Sequence, residues 1–409
     1  MNKKILIIVE NLPVPFDTRV WQEATTLVSN GYIVSVISPK GKGYFKEEEV
    51  IEGVNIFRHD LPSEGNGVIG YIKEYSTALW NEYKLAKKVY RKIGFHVIQG
   101  CNPPDNIYLI AKLFKKYGVR YIFDHHDICP ELFYAKFKKY GLLYKFQLWL
   151  ERQTYKNCVA AFVTNESYKK IAIDRGKMDP KNIFVLRSGP RLERLRIQQP
   201  KTEIKKGKKY MIGYLGVIGQ QEGIEYLLEA LKYLRSIKKR DDIFCGIIGG
   251  GPHLEELKRK AAEMKLDDIV EFTGRVSDEV LLDYLNTADV CVNPDEYNDM
   301  NDKSTMNKIL EYMALGKPIV QFDLIEGRNS AKDSSLYAKN NDSVDMAEKI
   351  EFLLDNEELR NKMGAIGRKR IIEELSWNNT STELIEGYKF IFETILGGYY
   401  EGCPINNVL

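Results

Sequence analysis

Short apolar runs alternate with longer amphipathic stretches along this chain. In the first half, the runs 4–10, 33–38 and 54–59 are separated or followed by helical stretches such as 18–30 and 71–93. Parallel strands need a crossover helix between them, so this alternation predicts a parallel sheet with helices on both faces. Further candidate strands are 96–100, 120–124, 160–164 and 183–187, with candidate helices at 104–117, 142–157 and 167–175.

A polar, basic segment at 190–209 interrupts the alternation, which restarts at residue 210. We therefore predict an α/β chain with two similar Rossmann-like domains whose strands end at a cleft, where such sheets bind ligands. The predicted domains are 1–195 and 196–380, and a C-terminal helix and tail, 381–409, is expected to pack back on the first. The second domain has candidate strands 210–215, 243–249, 269–273, 290–293 and 318–322.

The bulk properties are those of a globular protein. The 409 residues suit two domains, and 44% hydrophobic with 29% charged residues exclude a disordered chain. No apolar run approaches the roughly 18–20 residues that span a bilayer. The first apolar run ends at Glu10, which favours a buried strand over a signal peptide. Six scattered cysteines without a C-x-x-C pair indicate reduced thiols in a cytoplasmic protein and no zinc site.

The net charge of +3 conceals an asymmetry between the two halves. Residues 1–200 contain 32 Lys and Arg against 20 Asp and Glu, and the remainder is acidic. A basic half suggests an anionic partner, such as a membrane surface, a phospholipid-like acceptor or nucleic acid, although no nucleic-acid module is recognised. Residues 133–155 mix lysines with aromatic side chains, which suits an interfacial membrane contact. An ordinary helix packed on its sheet explains the same pattern and is slightly favoured.

The segment 302–320 predicts a helix with a ligand at its start. Ser304 is a suitable N-cap, and Gly316 ends the helix. Lys308 and Glu311 share one face near the helix N-terminus, where backbone N–H groups attract an anion. A phosphate there, with a carboxylate accepting from sugar hydroxyls, would suit a nucleotide sugar. The alternative is a surface ion pair between Lys308 and Glu311. An apolar stripe for the core comprises Met306, Ile309, Leu310 and Met313.

Other candidate residues also follow predicted strands. Three glycine-bearing turns lie at 216–223, 249–252 and 272–278 in the second half. In the first half, a strand leads into 124–131, which contains two histidines. Adjacent histidines point apart on extended backbone, so a metal site is disfavoured, and His126 is either an active-site group or held by backbone hydrogen bonds. Asp17 is predicted to cap the next helix, and Arg19 near its start either meets an anion or is solvated.

Taken together, these motifs resemble the GT-B-fold retaining glycosyltransferases of the family 4 type, which act on bacterial cell-wall and surface polysaccharides. The resemblance implies two Rossmann-like parallel-sheet domains facing a cleft, with C-terminal helices. It assigns acceptor binding to the first domain and nucleotide-sugar binding to the second. The matching segments are 17–21, 124–127 with 130–131, 213–216, 249–252, 272–276, 288–294 and 307–318.

The resemblance also implies roles for individual residues. Glu311 would hold the nucleotide ribose, the backbone of 304–306 the diphosphate, and Val276 the base, while His126 would lie near the donor sugar and the acceptor. The implied catalytic residues are His126, Asp127 and Lys308. The implied donor-binding residues are Gly216, Gly219, Gly250, Arg275, Val276, Ser304, Thr305, Met306, Asn307 and Glu311. The implied acceptor-binding residues are Asp17, Arg19 and Glu131.

The sequence departs from the family pattern in two places. Lys303 stands where the family has a glutamate that contacts the donor sugar. Val217 and Glu222 stand where the family has an arginine and a lysine. Lys308 is the candidate for the missing cation.

The resulting hypothesis is a retaining hexosyltransferase. It would move a sugar from a nucleoside diphosphate donor, expected to be a UDP-sugar, to a glycan or polyprenyl-linked acceptor. No metal or other cofactor and no nucleic-acid partner are expected, and the location would be cytoplasmic or peripheral at an anionic inner membrane face. The alternatives are a nucleotide-sugar epimerase of the same fold and a non-catalytic nucleotide-sugar-binding protein. A nicotinamide dehydrogenase is disfavoured because no G-x-G-x-x-G follows a strand.

Overall fold

The computed structural model describes residues 3–61 and 67–395. The chain divides into two compact units, Met1–Ser188 with Thr380–Leu409, and Gly189–Asn379. Residues 396–409 of the predicted C-terminal tail, including Cys403, lie outside the described residues. Across the described ranges, no helix combines the length and apolar character needed to cross a membrane.

The first unit is built on an eight-stranded sheet in the order β3-β4-β2-β1-β5-β6-β7-β8. Every pairing is parallel except that of β3 with β4. The antiparallel β3 was missed by the sequence analysis because it is acidic, and it turns back through Glu52 and Gly53, which both have positive φ. The strands are β1 (Lys4–Val9), β2 (Ile33–Pro39), β3 (Glu48–Ile51), β4 (Val54–His59), β5 (Val97–Cys101), β6 (Arg120–His125), β7 (Ala160–Val163) and β8 (Ile183–Val185).

Helices connect these strands, and the buried strands carry apolar side chains on both faces, as crossover helices require. The prediction that Asp17 caps the first helix is confirmed, because its carboxylate accepts from Val20 N at 3.1 Å. The helices are α1 (Thr18–Ser29), α2 (Gly67–Lys92), α3 (Tyr108–Phe114), α4 (Cys129–Phe137), α5 (Leu142–Asn157) and α6 (Glu166–Asp174).

The second unit is built on a six-stranded parallel sheet in the order β11-β10-β9-β12-β13-β14. The edge strand β14 is short and begins with serine, so its apolar pattern was too weak to predict it. The strands are β9 (Tyr210–Leu215), β10 (Ile243–Ile248), β11 (Val270–Gly274), β12 (Val290–Asn293), β13 (Ile319–Phe322) and β14 (Ser335–Ala338). The helices are α7 (Ile224–Ser236), α8 (Leu254–Glu263), α9 (Asp278–Thr287), α10 (Asp299–Lys303), α11 (Asn307–Ala314), α12 (Ile325–Ala331), α13 (Ser343–Leu354) and α14 (Glu357–Arg370).

The last described helix, α15 (Trp377–Phe390), contributes its residues from Thr380 onward to the first unit. Tyr388 is buried there, its hydroxyl donates to Gln99 Oε1, and its ring lies 5.6 Å from that of Phe162. Short π-helical turns follow α14 at Ile371–Leu375 and α15 at Ile391–Ile395. The prediction of two α/β domains with parallel sheets is therefore confirmed.

Candidate functional site

The predicted site residues of the second unit gather at the carboxyl ends of β9, β10, β11 and β12. Helix α11 begins at Asn307, and Met306 precedes it without a side-chain cap. The prediction that Ser304 caps this helix is wrong. Asn298 instead caps the separate turn α10, and the Ser304 hydroxyl donates backward to Met300 O at 2.7 Å. The apolar stripe is as predicted, with Ile309, Leu310 and Met313 buried and Met306 packed at its edge.

Lys308 is buried at the start of α11 and is held by two carboxylates. Its Nζ donates to Glu222 Oε2 at 2.7 Å and to Asp295 Oδ1 at 2.8 Å, and lies 3.4 Å from the Tyr214 hydroxyl. The alternative of a surface ion pair with Glu311 is therefore wrong. A Cβ at Gly216 would lie 3.3 Å from Lys308 Cε and 2.7 Å from the Tyr214 hydroxyl, so a glycine leaves room for this group.

The electrostatics of this cluster favour a charged lysine. Burial alone would lower the pKa of Lys308, but Asp295, Tyr214 and Glu222 raise it well above its ordinary value. Burial raises the pKa of Asp295 to about 7, against the opposing effect of Lys308. A charged amine thus lies beside the Gly216 turn, paired with both Glu222 and Asp295.

Glu311 lies elsewhere on α11 and has a different partner. Its Oε1 accepts from Arg194 Nη1 at 2.9 Å, and Arg194 also donates to both carboxylate oxygens of Asp278, at 2.8 and 2.9 Å. Burial raises the pKa of Glu311 above its ordinary 4.5, and Arg194 opposes that rise. Arg194 was not predicted as a site residue because it lies in the polar segment interpreted as a linker.

The glycine turns pack backbone against backbone. A Cβ at Gly249 would lie 1.8 Å from Gly216 O, and one at Gly251 would lie 2.3 Å from Ile218 O, so no larger residue fits at either position. Hydrogen bonds from Ile218 N to Gly250 O and from Gly249 N to Gly274 O join the three turns. The structure thus brings together the turns that carry Gly216, Gly219, Gly250, Arg275 and Val276. The contact of these residues with a donor stays a prediction.

In the first unit, Asp124 is the centre of a buried polar network at the end of β6. Its Oδ1 accepts from Arg19 Nη2 at 2.8 Å, and its Oδ2 accepts from Gln99 Nε2 at 2.9 Å. Arg19 also donates to Leu186 O, and its Nε lies 3.1 Å from Glu23 Oε1. Burial alone would raise the pKa of Asp124, but Arg19 and His126 hold it below its ordinary range.

The two histidines after Asp124 point apart, as predicted. His125 is buried, accepts or donates a hydrogen bond with the Tyr155 hydroxyl at 2.7 Å, and stacks on Phe123. Burial lowers the pKa of His125 to about 3. His126 is partly exposed, and its Nε2 donates to Asp124 Oδ2 at 2.7 Å, because the ionised carboxylate can only accept.

The backbone after β6 is fixed by a side chain that the sequence analysis did not identify. Asn102 Oδ1 accepts from His126 N at 2.6 Å and from Asp127 N at 3.2 Å, and Asn102 Nδ2 donates to Asp127 O at 2.6 Å. Asn102 follows β5, whose carboxyl end adjoins that of β6. The signal for Asn102 in the sequence was its position, as a polar residue directly after the strand next to β6.

The first unit also contains a set of possible metal ligands. Ligand atoms of Cys101, Asp124 and His126 lie within 4.8 Å of one another. These residues do not suit a metal, because Arg19 already neutralises Asp124 and burial raises the pKa of the Cys101 thiol well above its ordinary value. That no metal is needed stays a prediction.

The three predicted acceptor residues each bond a different partner. Asp17 caps α1, Arg19 is buried against Asp124, and Glu131 is buried in an ion pair with Arg175. Glu131 Oε1 and Oε2 accept from Arg175 at 2.7 and 3.1 Å. The contact of these three residues with an acceptor stays a prediction.

Comparisons with known proteins cover both units. The family model "Glycosyltransferase Family 4" matches residues 17–194, and "Glycosyl transferases group 1" matches residues 196–370. The alpha-D-kanosaminyltransferase of Streptomyces kanamyceticus is 30% identical over 152 residues, which are 37% of this chain and 38% of that protein. The O-antigen chain mannosyltransferase C of Escherichia coli is 26% identical over 186 residues, 45% of this chain and 46% of that protein. The matches thus span less than half the length of these relatives.

Solved structures share the fold over nearly the whole chain. Sucrose-phosphate synthase from Thermosynechococcus elongatus has a TM-score of 0.77 at 17% identity, covering 96% of this chain and 99% of that one. Anabaena Alr3699/HepE in complex with UDP and glucose has a TM-score of 0.71 at 11% identity, covering 95% and 100%. With both family models matched and the fold shared, the chain belongs to the GT-B-fold glycosyltransferases of the family 4 type.

Proposed function

We propose that this protein is a retaining hexosyltransferase that moves a sugar from a UDP-sugar to a glycan or polyprenyl-linked acceptor. The observation that carries the proposal is the cluster at the carboxyl ends of β9–β12. It combines three close-packed glycine turns, the uncapped start of α11 and the carboxylate of Glu311. A diphosphate suits a helix N-terminus, and ribose hydroxyls suit a carboxylate acceptor. HepE, which has the same fold, is described in complex with UDP and glucose, and this supports the choice of donor.

In the proposed donor complex, Glu311 accepts hydrogen bonds from the ribose. The backbone of Ser304, Thr305 and Met306 with Asn307 donates to the diphosphate, and Val276 contacts the base. Lys308 supplies a charged amine beside the Gly216 turn, where Asp295, Tyr214 and Glu222 keep its pKa high against the effect of burial. Gly216, Gly219, Gly250 and Arg275 line the donor.

Glu311 must share its carboxylate between the ribose and Arg194. Arg194 donates to one oxygen of Glu311 and holds Asp278 with its other nitrogens. We propose that Arg194 keeps Glu311 ionised for the donor, since burial alone would raise the pKa of that carboxyl.

In the first unit, we propose that His126 meets the donor sugar and the acceptor through Nδ1. The opposite ring nitrogen is fixed by Asp124, which Arg19 and Gln99 hold in turn. Asp127 lies next in the chain, on backbone fixed by Asn102. The acceptor residues proposed beside them are Asp17, Arg19 and Glu131.

The proposed reaction is attack of an acceptor hydroxyl on the anomeric carbon from the face that the leaving group occupies. The C–O bond to the diphosphate breaks as the new glycosidic bond forms, so the configuration is retained. Donors at the start of α11 and the charge of Lys308 would stabilise the departing diphosphate, which takes the acceptor proton.

A screen of nucleoside diphosphate sugars for UDP release, with and without lipid-linked acceptors, tests this proposal. Acceptor-dependent UDP release, with an anomeric proton of unchanged configuration in the product, supports it. A new sugar formed without acceptor would indicate an epimerase instead. Binding of UDP without release from any donor would indicate a non-catalytic protein, an alternative that the replacement of the family glutamate by Lys303 keeps open.

A further inference from the structure

The helices α4 and α5 present a group of large apolar side chains to solvent. Leu142 is 85% exposed, Phe146 50% and Trp149 49%. Soluble proteins rarely expose several such side chains together unless they bind a partner or a membrane. We define the α4–α5 surface as the exposed residues Phe137, Tyr140, Leu142, Leu143, Phe146 and Trp149.

This arrangement follows from the helical spacing of α5. Leu142, Phe146 and Trp149 lie at positions i, i+4 and i+7, and therefore on one face. The rings of Phe146 and Trp149 stack 5.8 Å apart. The other face packs into the unit through Glu151, Thr154 and Tyr155, which are buried. The expectation of an ordinary packed helix thus holds for the buried face, whereas Leu142, Phe146 and Trp149 on the opposite face are exposed.

The exposed charged side chains on α4, α5 and the turn between them have one sign. Residues 132–157 contain a single acidic residue, Glu151, and it is buried against Arg175. Every exposed charged side chain that the structure describes in this range is cationic. These side chains are Lys138, Lys139, Lys145, Arg152 and Lys156. An apolar centre bordered by lysines is complementary to an anionic bilayer interface, where the ammonium groups reach lipid phosphates.

We propose that the α4–α5 surface inserts into the headgroup region of an anionic membrane. A second copy of the chain is a poorer occupant, because a two-fold interface would place the same lysines opposite one another. The proposal does not depend on the donor site or on catalysis. It assigns membrane binding to one surface, and apolar insertion as well as charge would hold the protein there.

Co-sedimentation of the full chain with vesicles tests the surface. The probe is phosphatidylglycerol-containing vesicles, with pure phosphatidylcholine vesicles for comparison. We expect the triple substitution Leu142→Ser, Phe146→Ser and Trp149→Ser to lower the partition coefficient on anionic vesicles by about tenfold or more. The reason is that each of these side chains would bury apolar surface in the lipid interface. Phe352→Ser is the matched control, because Phe352 is 52% exposed but lies on α13, and it should change nothing.

The charge contribution is tested separately. Replacing Lys138, Lys139 and Lys145 by Gln should weaken binding to anionic vesicles by about tenfold more than replacing Lys84, Lys87 and Arg91 on α2. Both triple variants lose the same charge. In about 1 M salt, where the Debye length is about 3 Å, the difference between the two variants should disappear. The loss caused by the three serine substitutions should remain.

Tryptophan fluorescence locates the contact. Brominated lipids should quench the wild-type protein and the Trp80→Phe variant, whereas Trp149→Phe should lose most of the quenching. Trp80 is a fair comparison because it is 56% exposed in the same unit.

Two results would overturn the proposal. One is an unchanged partition coefficient for the serine triple variant whose melting temperature is also unchanged. The other is conversion of a dimer to a monomer by that variant, measured by light scattering, with vesicle binding intact, which would make this surface a contact between copies.

Discussion

Glu311 is the residue on which the proposed donor recognition depends. Glu311→Gln keeps the shape of the side chain but removes its charge, and we expect nucleotide binding to weaken by about 1–3 kcal/mol, the range of a charge-assisted hydrogen bond. Calorimetric titration with UDP measures the change. Glu279→Gln, at an exposed position on α9, is the control. Equal UDP affinity of the two variants would remove Glu311 from the ribose site.

The pH dependence of UDP binding should report the same carboxylate. Burial raises the pKa of Glu311 above 4.5, so affinity should fall as the pH falls through this raised pKa. Arg194 lowers that pKa, so Arg194→Gln should move the loss of affinity to higher pH. Calorimetric titrations with UDP at a series of pH values, on the wild type and Arg194→Gln, provide the measurement. Tighter UDP binding by Arg194→Gln at every pH would show that Arg194 obstructs the donor.

Substitution of the two adjacent histidines should affect different properties, turnover for His126 and stability for His125. His126→Ala should lower turnover by about tenfold or more, since a positioned acid–base group contributes roughly 10²- to 10⁴-fold, with little change in melting temperature. His125→Ala should lower the free energy of unfolding by about 2 kcal/mol or more, because it leaves the buried Tyr155 hydroxyl without its partner and opens a cavity. A destabilised His126→Ala protein with normal turnover would assign His126 a structural role.

At the scale of elements, helix α11 and the strand ends beside it combine a core stripe with a buried ion cluster. Removing the amine by Lys308→Met leaves the buried Asp295 and the partly buried Glu222 without their cation, and we expect a loss of about 3–5 kcal/mol in stability. Thermal unfolding checks this value. A melting temperature within error of the wild type would show that the cluster is solvated. Lys349→Met on α13, a more exposed lysine, is the control.

Asp295 should also give this region a pH-dependent stability. Its folded pKa of about 7 lies above the ordinary 3.8, so the folded state binds the proton more tightly. The stabilisation is therefore complete below the unfolded pKa and is lost as the pH rises through about 7. Asp295→Asn should remove this contribution. Its melting temperature should therefore fall less than that of the wild type as the pH rises through about 7. If the melting temperature of Asp295→Asn depended on pH as that of the wild type does, the bound proton would belong to another group.

The elements show what the sequence could and could not predict. The strongly apolar strands and the stripe of α11 were predictable because burial on both faces or one face imposes a clear period. The acidic β3 and the short β14 were not, because edge strands need fewer apolar residues. The prediction that Ser304 caps α11 was wrong because its hydroxyl donates to Met300 O in the preceding turn, α10, which was not predicted. Arg194 and Asn102 escaped notice because their partners lie far away in the chain.

At the scale of the whole molecule, the proposed donor residues belong to one unit and the proposed acceptor residues to the other. The second unit carries Glu311, Lys308 and the glycine turns, and the first carries His126 and the Asp124 network. We therefore expect His126→Ala to leave UDP affinity unchanged while turnover falls, and Glu311→Gln to lower both. Calorimetry and turnover measured on the same two preparations check this separation. Equal losses of UDP affinity in both variants would contradict it.

We propose that this chain transfers a sugar from a nucleoside diphosphate through a site that contains Glu311. The most direct test is the rate of UDP release from the active donor, measured with acceptor for the wild-type protein, Glu311→Gln and Glu279→Gln. We expect acceptor-dependent release by the wild type and Glu279→Gln, and a rate reduced by about tenfold or more in Glu311→Gln at donor concentrations below saturation. Release at the wild-type rate by Glu311→Gln, or no release from any donor by the wild type, would contradict it.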